Sequence, residues 1–230
     1  MLTAIIVAAG DSRRMGFHKL FATIAGRPVI AHTIHAFERA GCVGGIIVVA
    51  REDRLAEIKK IVRDEKLKKV RSIITGGKYR QDSVRAGLDH LEATARYVAI
   101  HDAARPLITA EQIERVFEQC RIHAAASLAE PISDTLKYAD AEFFVTGSVD
   151  RHGLYAMQTP QVFERRLIED AYRAIYAENA SVTDEVSAVE RLGRKVILVP
   201  NKDLNFKITY PRDLTLAEFV LTQRIQAAAN

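Results

Sequence analysis

The nine residues after Gly10 hold three cations, Arg13, Arg14 and Lys19. They follow Thr3-Ala-Ile-Ile-Val-Ala-Ala-Gly10, a short β-branched run that ends in two alanines and a glycine. Small residues let the backbone turn tightly and bring its N–H groups against a ligand. Amides converging beside Arg and Lys suit a polyphosphate, whose charge is spread over several oxygens. The bland alternative is a surface turn with solvated charges. The position of the turn, directly after a first buried strand, favours a ligand, because open α/β sheets bind there. Spacing excludes two other loops. No Gly-Lys-Ser/Thr stands at this turn, and Gly10 is followed by Asp11 and Ser12, which does not complete Gly-x-Gly-x-x-Gly.

Further polar residues stand where later elements are expected to end or begin. They are Asp102 and Arg105 in His101-Asp-Ala-Ala-Arg-Pro106, then Thr159, Thr183-Asp184 and Lys207. In an open parallel sheet the carboxyl ends of the strands share one edge, so these groups converge with Arg14 and Lys19 on one crevice. Converging cations, an acidic residue and hydroxyls are what phosphoryl or nucleotidyl transfer requires. That chemistry is mainly positioning and charge neutralisation and needs no covalent nucleophile. His32, His35, His123 and His152 lack partners at metal-ligand spacing and read as helix-surface or arm residues. Cys42 and Cys120 read as small core residues.

The elements that must position these groups alternate in type. Strands are expected at Ala4–Val7, Gly45–Ala50, Val70–Ile74 and Tyr97–Ile100; the first reads as buried on both faces and the last as buried. Pro28 opens a helix with Ile30, Ile34 and Phe37 on one face and a stop at Gly41. A charged helix is expected over 54–66. A third helix, Arg80–Leu91, follows the Gly76-Gly77 corner, and Thr109 and Gln112 have capping-box spacing for a fourth that runs to about His123. Beyond the middle of the chain come a strand to Met157, a turn at Gln158–Gln161 and a helix over 164–178. A helix start at Thr183-Asp-Glu185, a strand at Lys195–Val199, the piece Asn205–Ile208 and a terminal helix opened by Pro211 complete the pattern. Strand and helix alternation predicts an α/β fold, Rossmann-like, with a doubly wound and mostly parallel sheet.

The alternation breaks over 132–150, where short strand-like pieces flank Asp140 and Gly147. A hairpin of this kind buries little against its own chain. It is expected to project as an arm onto a second subunit, with an unpartnered surface hairpin as the alternative. No repeat or low-complexity linker divides the rest, so residues 1–230 are expected to form a single domain.

With 230 residues and 48% hydrophobic composition, the chain can bury a full core. Its 33 basic and 29 acidic residues leave a mild, dispersed excess of +4. That distribution lacks the basic stripe with interleaved aromatics of a nucleic-acid binder, and no apolar run reaches the length of a membrane span. Two cysteines make no disulfide framework, and Met1 leads almost directly into the first strand. A cytoplasmic protein without a leader peptide is expected.

Taken together, Ala8-Ala9-Gly10, Arg14, Lys19 and His101-Asp-Ala-Ala-Arg-Pro106 resemble the 2-C-methyl-D-erythritol 4-phosphate cytidylyltransferases of the non-mevalonate isoprenoid pathway. The likeness continues through Gln81-Asp-Ser-Val84, Asp134-Thr135, Val149-Asp-Arg151, Gln158-Thr-Pro-Gln161, Thr183-Asp-Glu185 and Asn205-Phe-Lys207, and so covers nearly the whole chain. The first motif alone is shared by many nucleotidyltransferases; its combination with the Asp-Ala-Ala-Arg-Pro element and the arm is specific.

The resemblance implies transfer of CMP from CTP to 2-C-methyl-D-erythritol 4-phosphate, with release of pyrophosphate, by a homodimer that uses Mg²⁺. It implies that Arg14 and Lys19 stabilise charge building on the α-phosphate as pyrophosphate leaves. Ala8, Ala9 and Gly10 with Gly76 and Gly77 would hold cytosine, and Ser83 and Ala103 would lie near the ribose. Asp102 and Arg105 would face the substrate and the metal-bound phosphates, with Mg²⁺ held mainly by CTP and Asp102 as a further candidate ligand. Thr135 and Arg151 on the arm would reach a neighbouring subunit's substrate. Lys207 would orient the attacking phosphate, with Thr159 and Thr183 nearby. Three positions depart from the family pattern: His18 stands where proline is usual, Ser12 where a second loop glycine is common and Lys78 where many relatives have an acidic residue. An altered loop path with retained chemistry is expected. Two alternatives stay open, a cytidylyltransferase for another polyol phosphate such as ribitol 5-phosphate and a nucleotide-binding module without turnover. Replacing Lys19 by Ala is expected to leave stability almost unchanged.

Overall fold

The computed structural model describes residues 1–10 and 15–229. Among them the chain forms a seven-stranded sheet in the order β11-β7-β10-β6-β1-β4-β5. The strands are β1 (Leu2–Ala8), β4 (Val43–Ala50), β5 (Val70–Thr75), β6 (Tyr97–Asp102), β7 (Ala125–Pro131), β10 (Tyr155–Glu164) and β11 (Ile197–Pro200). β1 runs parallel to β4 and β6, β4 to β5, and β11 to β7, while β10 lies antiparallel between β6 and β7. The mostly parallel, doubly wound α/β sheet predicted from the alternation of elements is therefore present, with one reversed strand. Beside it are two small ribbons, β2 (Thr23–Ile24) with β3 (Arg27–Pro28) and β8 (Leu136–Ala139) with β9 (Val145–Val149).

Strand β1 shows why the sheet is covered on both faces. Leu2, Ala4, Ile6 and Ala8 point into one apolar cluster with α1 (Val29–Arg39), α2 (Leu55–Asp64), α4 (Ala110–His123) and α7 (Pro211–Ala229). Ile5 points into the other, with α3 (Arg80–Asp89), α5 (Arg165–Ala177) and α6 (Glu185–Arg191). The period-two alternation of a strand thus feeds two helical layers. Ile30, Ile34 and Phe37 of α1 are fully buried, as their spacing predicts. The capping box of α4 also forms: the Thr109 hydroxyl accepts from Gln112 N, and the Gln112 side chain accepts from Thr109 N.

Two expectations change, and two segments take a form that the sequence reading left unassigned. Ala125–Pro131 is an interior strand with no strand signature of its own, because pairing with β10 and β11 overrides weak local propensity. Gln158–Gln161 is not a turn; it lies inside β10, where the register against β7 shifts between Met157 and Gln161. Asn205–Ile208 joins no sheet and is held by side chains and one backbone bond, Ile208 N to Ala104 O. His32 is buried, its Nε2 2.7 Å from Ile24 O, and does not lie on the helix surface. Among the described residues no helix is long and apolar enough to cross a membrane.

The order β6-β1-β4-β5 sets the position of the site. From β1 the chain winds outward through β4 to β5 and then returns to β6 on the other side. The carboxyl ends of β1 and β6 therefore flank the point where winding reverses, and a crevice opens there.

Candidate active site

At that crevice a cleft of about 480 Å³ is lined by Ala8, Ala9 and Gly10 from the end of β1 and Lys19 from a 3₁₀ turn, Lys19–Phe21. Gly77, Lys78, Tyr79, Arg80 and Ser83 line it from the start of α3, Asp102 and Ala104 from the end of β6, and Lys207 from the segment before α7. Met15 and Leu20, both buried, add an apolar floor. A second cleft of about 350 Å³ is lined by Arg105, Thr159, Gln161, Thr183 and Asp184, among others. Arg80, Asp102 and Lys207 line both clefts, so they form the wall between them.

This wall is a network of charges. Arg80 Nε donates to Asp102 Oδ1 at 3.1 Å, and Lys207 Nζ donates to Asp102 Oδ2 at 2.8 Å. Burial alone would raise the Asp102 pKa; the Arg80 and Lys207 cations outweigh it and hold the carboxyl well below the usual carboxylate range. Burial lowers the Arg80 pKa, and Glu185 and Asp102 more than restore it, so its guanidinium remains charged.

Backbone and side-chain hydrogen bonds place these groups. Lys19 Nζ donates to Ile208 O at 2.5 Å, and Ile208 N donates to Ala104 O at 2.8 Å, which draws the Lys207 segment across the mouth of the larger cleft. Asn205 Nδ2 donates to Gln158 Oε1 and to Thr159 O, and Arg105 Nη1 donates to Asn205 O at 2.7 Å. Side chains and a single backbone bond thus supply the hold that a strand ladder does not.

Beneath Asp102 lies a second, neutral chain. The Thr159 hydroxyl accepts from Asp102 N at 3.1 Å and lies 3.0 Å from His101 Nδ1, while His101 Nε2 lies 3.3 Å from Arg105 O. The pattern that satisfies every group has Thr159 donating to Nδ1 and the imidazole proton on Nε2. His101 is fully buried, and burial pushes its pKa down to about 3. The imidazole is therefore neutral and packs 5.0 Å from the Phe37 ring.

The larger cleft brings together Lys19, Lys207, Ala8, Ala9, Gly10, Gly77, Ser83 and Asp102 of the residues singled out in the sequence. Arg105, Thr159 and Thr183 line the second. Gly76 stands behind the cleft wall, where a Cβ would come within 2.8 Å of Ala9 Cβ. Ala103 is fully buried, with its N–H bonded to Val7 O and its carbonyl to Thr33 Oγ1; Ala104 is the neighbour that lines the cleft. Thr135 and Arg151 are exposed on the arm and line neither cleft. Arg14 lies outside the described residues. Arg80, Glu185 and Tyr172 are among the residues of the site that were assigned no role from sequence. The available signal was position, since Arg80 is the first residue of α3 after the glycine corner and Glu185 stands in Thr183-Asp-Glu185.

The family model described as IspD, 2-C-methyl-D-erythritol 4-phosphate cytidylyltransferase, matches residues 2–223. A protein of that name from Caldanaerobacter subterraneus is 40% identical over 223 residues, covering 96% of this chain and 98% of that protein. A bifunctional enzyme IspD/IspF from Desulfotalea psychrophila is 40% identical over 96% of this chain, which spans 56% of that protein's length. The crystal structure of 4-diphosphocytidyl-2C-methyl-D-erythritol synthase from Anaerococcus prevotii superposes with a TM-score of 0.85 at 31% identity, covering 96% of each chain. By sequence over nearly its full length and by fold, this chain belongs to the 2-C-methyl-D-erythritol 4-phosphate cytidylyltransferase family.

Proposed function

We propose that the chain transfers CMP from CTP to 2-C-methyl-D-erythritol 4-phosphate, giving 4-diphosphocytidyl-2-C-methyl-D-erythritol and pyrophosphate in isoprenoid precursor synthesis. The observation that carries this reading is the wall of Arg80, Asp102 and Lys207 shared by two clefts. A nucleotidyl transfer needs two phosphate-bearing reactants that meet at one phosphorus, and cations stand where the two clefts join.

In this reading cytosine and ribose occupy the larger cleft against Ala8, Ala9, Gly10, Gly76, Gly77 and Ser83, with Ala103 behind. The polyol phosphate occupies the second cleft beside Arg105, Thr159 and Thr183. A phosphate oxygen of the polyol phosphate forms a bond to the α-phosphorus, the α–β bridging P–O bond breaks, and its electron pair leaves with pyrophosphate. Lys19, with Arg14, meets the charge that moves onto the leaving group; Lys207 orients the attacking phosphate. Catalysis of this kind is positioning and electrostatics.

Among the described residues no group of three or more His, Cys, Asp or Glu side chains could hold a metal ion, and both Asp102 oxygens accept from cations. That donor set fits Mg²⁺ carried on the CTP phosphates, where it would neutralise triphosphate charge, better than Mg²⁺ held by the protein. Residues 1–230 are read as a single nucleotidyltransferase domain working in the cytoplasm, which supplies CTP.

The arm supports a homodimer. Among the described residues β8 and β9 pair only with each other, and Phe143, Phe144, Val145 and Tyr138 are 61–88% exposed. An apolar ribbon of that kind calls for a cover, and a second copy would receive Thr135 and Arg151 from it. Pyrophosphate release with CTP and Mg²⁺, with methylerythritol phosphate and ribitol 5-phosphate offered side by side, tests the function. Faster turnover of ribitol 5-phosphate would move the chain to another polyol, and no release with either would leave a nucleotide-binding module.

A further inference from the structure

Glu185 is completely buried, and its side chain lines neither cleft. Its Oε1 accepts from Arg80 Nη1 at 2.6 Å and from the Tyr172 hydroxyl at 2.9 Å, and its Oε2 accepts from Arg80 Nη2 at 3.0 Å. Three elements meet here, since Arg80 opens α3, Tyr172 lies on α5 and Glu185 opens α6. Gln161 of β10 fixes the start of α6 by accepting from Glu185 N and Val186 N. With both outer nitrogens of its planar fork committed to Glu185, the Arg80 guanidinium has a set orientation. Its Nε is thereby aimed at Asp102.

The chain of contacts Tyr172–Glu185–Arg80–Asp102–Lys207 runs from the interior to the junction. Side-chain exposure along it is 0% for Glu185, 28% for Arg80, 12% for Asp102 and 40% for Lys207. Lys207 is the exposed end and the cation an arriving phosphate reaches. A buried carboxylate whose counter-charge leaves is strongly destabilised, because desolvation is then uncompensated. Asp102 escapes that fate only if a second cation stays.

We propose that Arg80, locked by Glu185, is a positioning residue that keeps Asp102 compensated while Lys207 transfers its ammonium from Asp102 to the phosphate of the attacking substrate. The inference rests on the reaction proposed above and names the group that makes Lys207 available. A lysine held by a carboxylate with no other partner would be tied to it; one that shares the carboxylate with a fixed guanidinium can exchange partners.

The test compares Arg80→Gln with the double variant Arg80→Gln/Glu185→Gln. The single variant strands the buried Glu185 charge and loses thermal stability. The double variant removes both charges, so its melting temperature returns toward that of the wild type. With CTP and methylerythritol phosphate, both variants are expected to lose kcat/KM for the polyol phosphate on the order of 10²-fold, the loss typical of one preorganised electrostatic group, while KM for CTP changes little. An ordinary structural ion pair predicts otherwise, and recovery of turnover together with stability in the double variant would overturn the inference. A second readout needs no turnover. In ¹⁵N-lysine-labelled protein, the Lys207 ammonium resonance, assigned by its loss in Lys207→Arg, is titrated with inorganic phosphate. The double variant should need on the order of 10-fold more phosphate than the wild type for the same shift, and equal titrations would also overturn it. A wild type silent in the pyrophosphate assay would remove the functional reading, and the titration would still judge Arg80.

Discussion

Replacing Lys19 by Ala separates the catalytic role proposed for its ammonium from the structural contact that it makes. In the proposed reaction it meets the negative charge that grows as pyrophosphate leaves, and such a group contributes more in the transition state than in the ground state. Loss of one preorganised donor of this kind costs about 10²–10³ in kcat, or roughly 3–4 kcal/mol of barrier. The structure adds a second cost that the sequence did not foresee. Lys19 Nζ is bonded to Ile208 O at 2.5 Å, beside the Ile208–Ala104 backbone bond that holds the Lys207 segment. A hydrogen bond to a charged donor contributes about 1.5–3 kcal/mol when buried; this side chain is half-buried, so about 1 kcal/mol is expected after solvent screening. For a chain of this size that is roughly a 2–4 °C fall in melting temperature. The assay is steady-state pyrophosphate release at saturating polyol phosphate over a range of CTP, with calorimetry on the same samples. Lys19→Arg should recover the stability better than the rate, because a planar fork can meet a carbonyl but does not replace a compact ammonium at the phosphate. Near-normal kcat with only a raised KM for CTP would refute the transition-state role.

Three further outcomes are expected. If Arg151 completes the partner's site, an equal mixture of Lys19→Ala and Arg151→Ala chains that has exchanged subunits should regain about a quarter of wild-type activity. Half the dimers are then mixed, and each carries one intact site; no recovery after proven exchange would argue against a shared site. His101, neutral in the fold with a pKa near 3 against 6.5 for an ordinary imidazole, binds a proton only on unfolding as pH falls through that interval. Stability should therefore decline toward acid with a slope of about 1.4 kcal/mol per pH unit between these values, and denaturant titrations of His101→Gln should lack that component. Gly76→Ala would place a Cβ 2.6 Å from Ser83 Oγ and 2.8 Å from Ala9 Cβ, so the wall behind the larger cleft, proposed to hold the nucleotide, must shift. KM for CTP should rise on the order of 10-fold with a smaller change in kcat, and an unchanged KM would show that Gly76 does not shape the cleft.

What the sequence determined by itself was local. Two alanines and Gly10 after a β-branched run, the Thr109–Gln112 box and the apolar face of Ile30, Ile34 and Phe37 need only neighbours within a turn or a strand to take effect. The alternation they create leads to a parallel sheet, and a parallel sheet gathers the strand ends that carry Asp102 and the Ala8–Gly10 turn. What the tertiary structure decided was non-local. Ala125–Pro131 becomes a strand because β10 and β11 offer it ladders on both sides, against its own alanine-rich preference. Asn205–Ile208 is positioned by Gln158, Arg105 and Ala104, residues 47 to 104 positions away along the chain, so no window of sequence reveals its path. The division is sharpest at Arg80 and Glu185, which are 105 residues apart. Each read alone is a charged residue at the start of a helix, a place where charge is usually solvated. Only the packing of α3, α5 and α6 on one face of the sheet buries Glu185 completely, and burial is what turns that pair from a solvated surface bridge into a fixed support for Asp102.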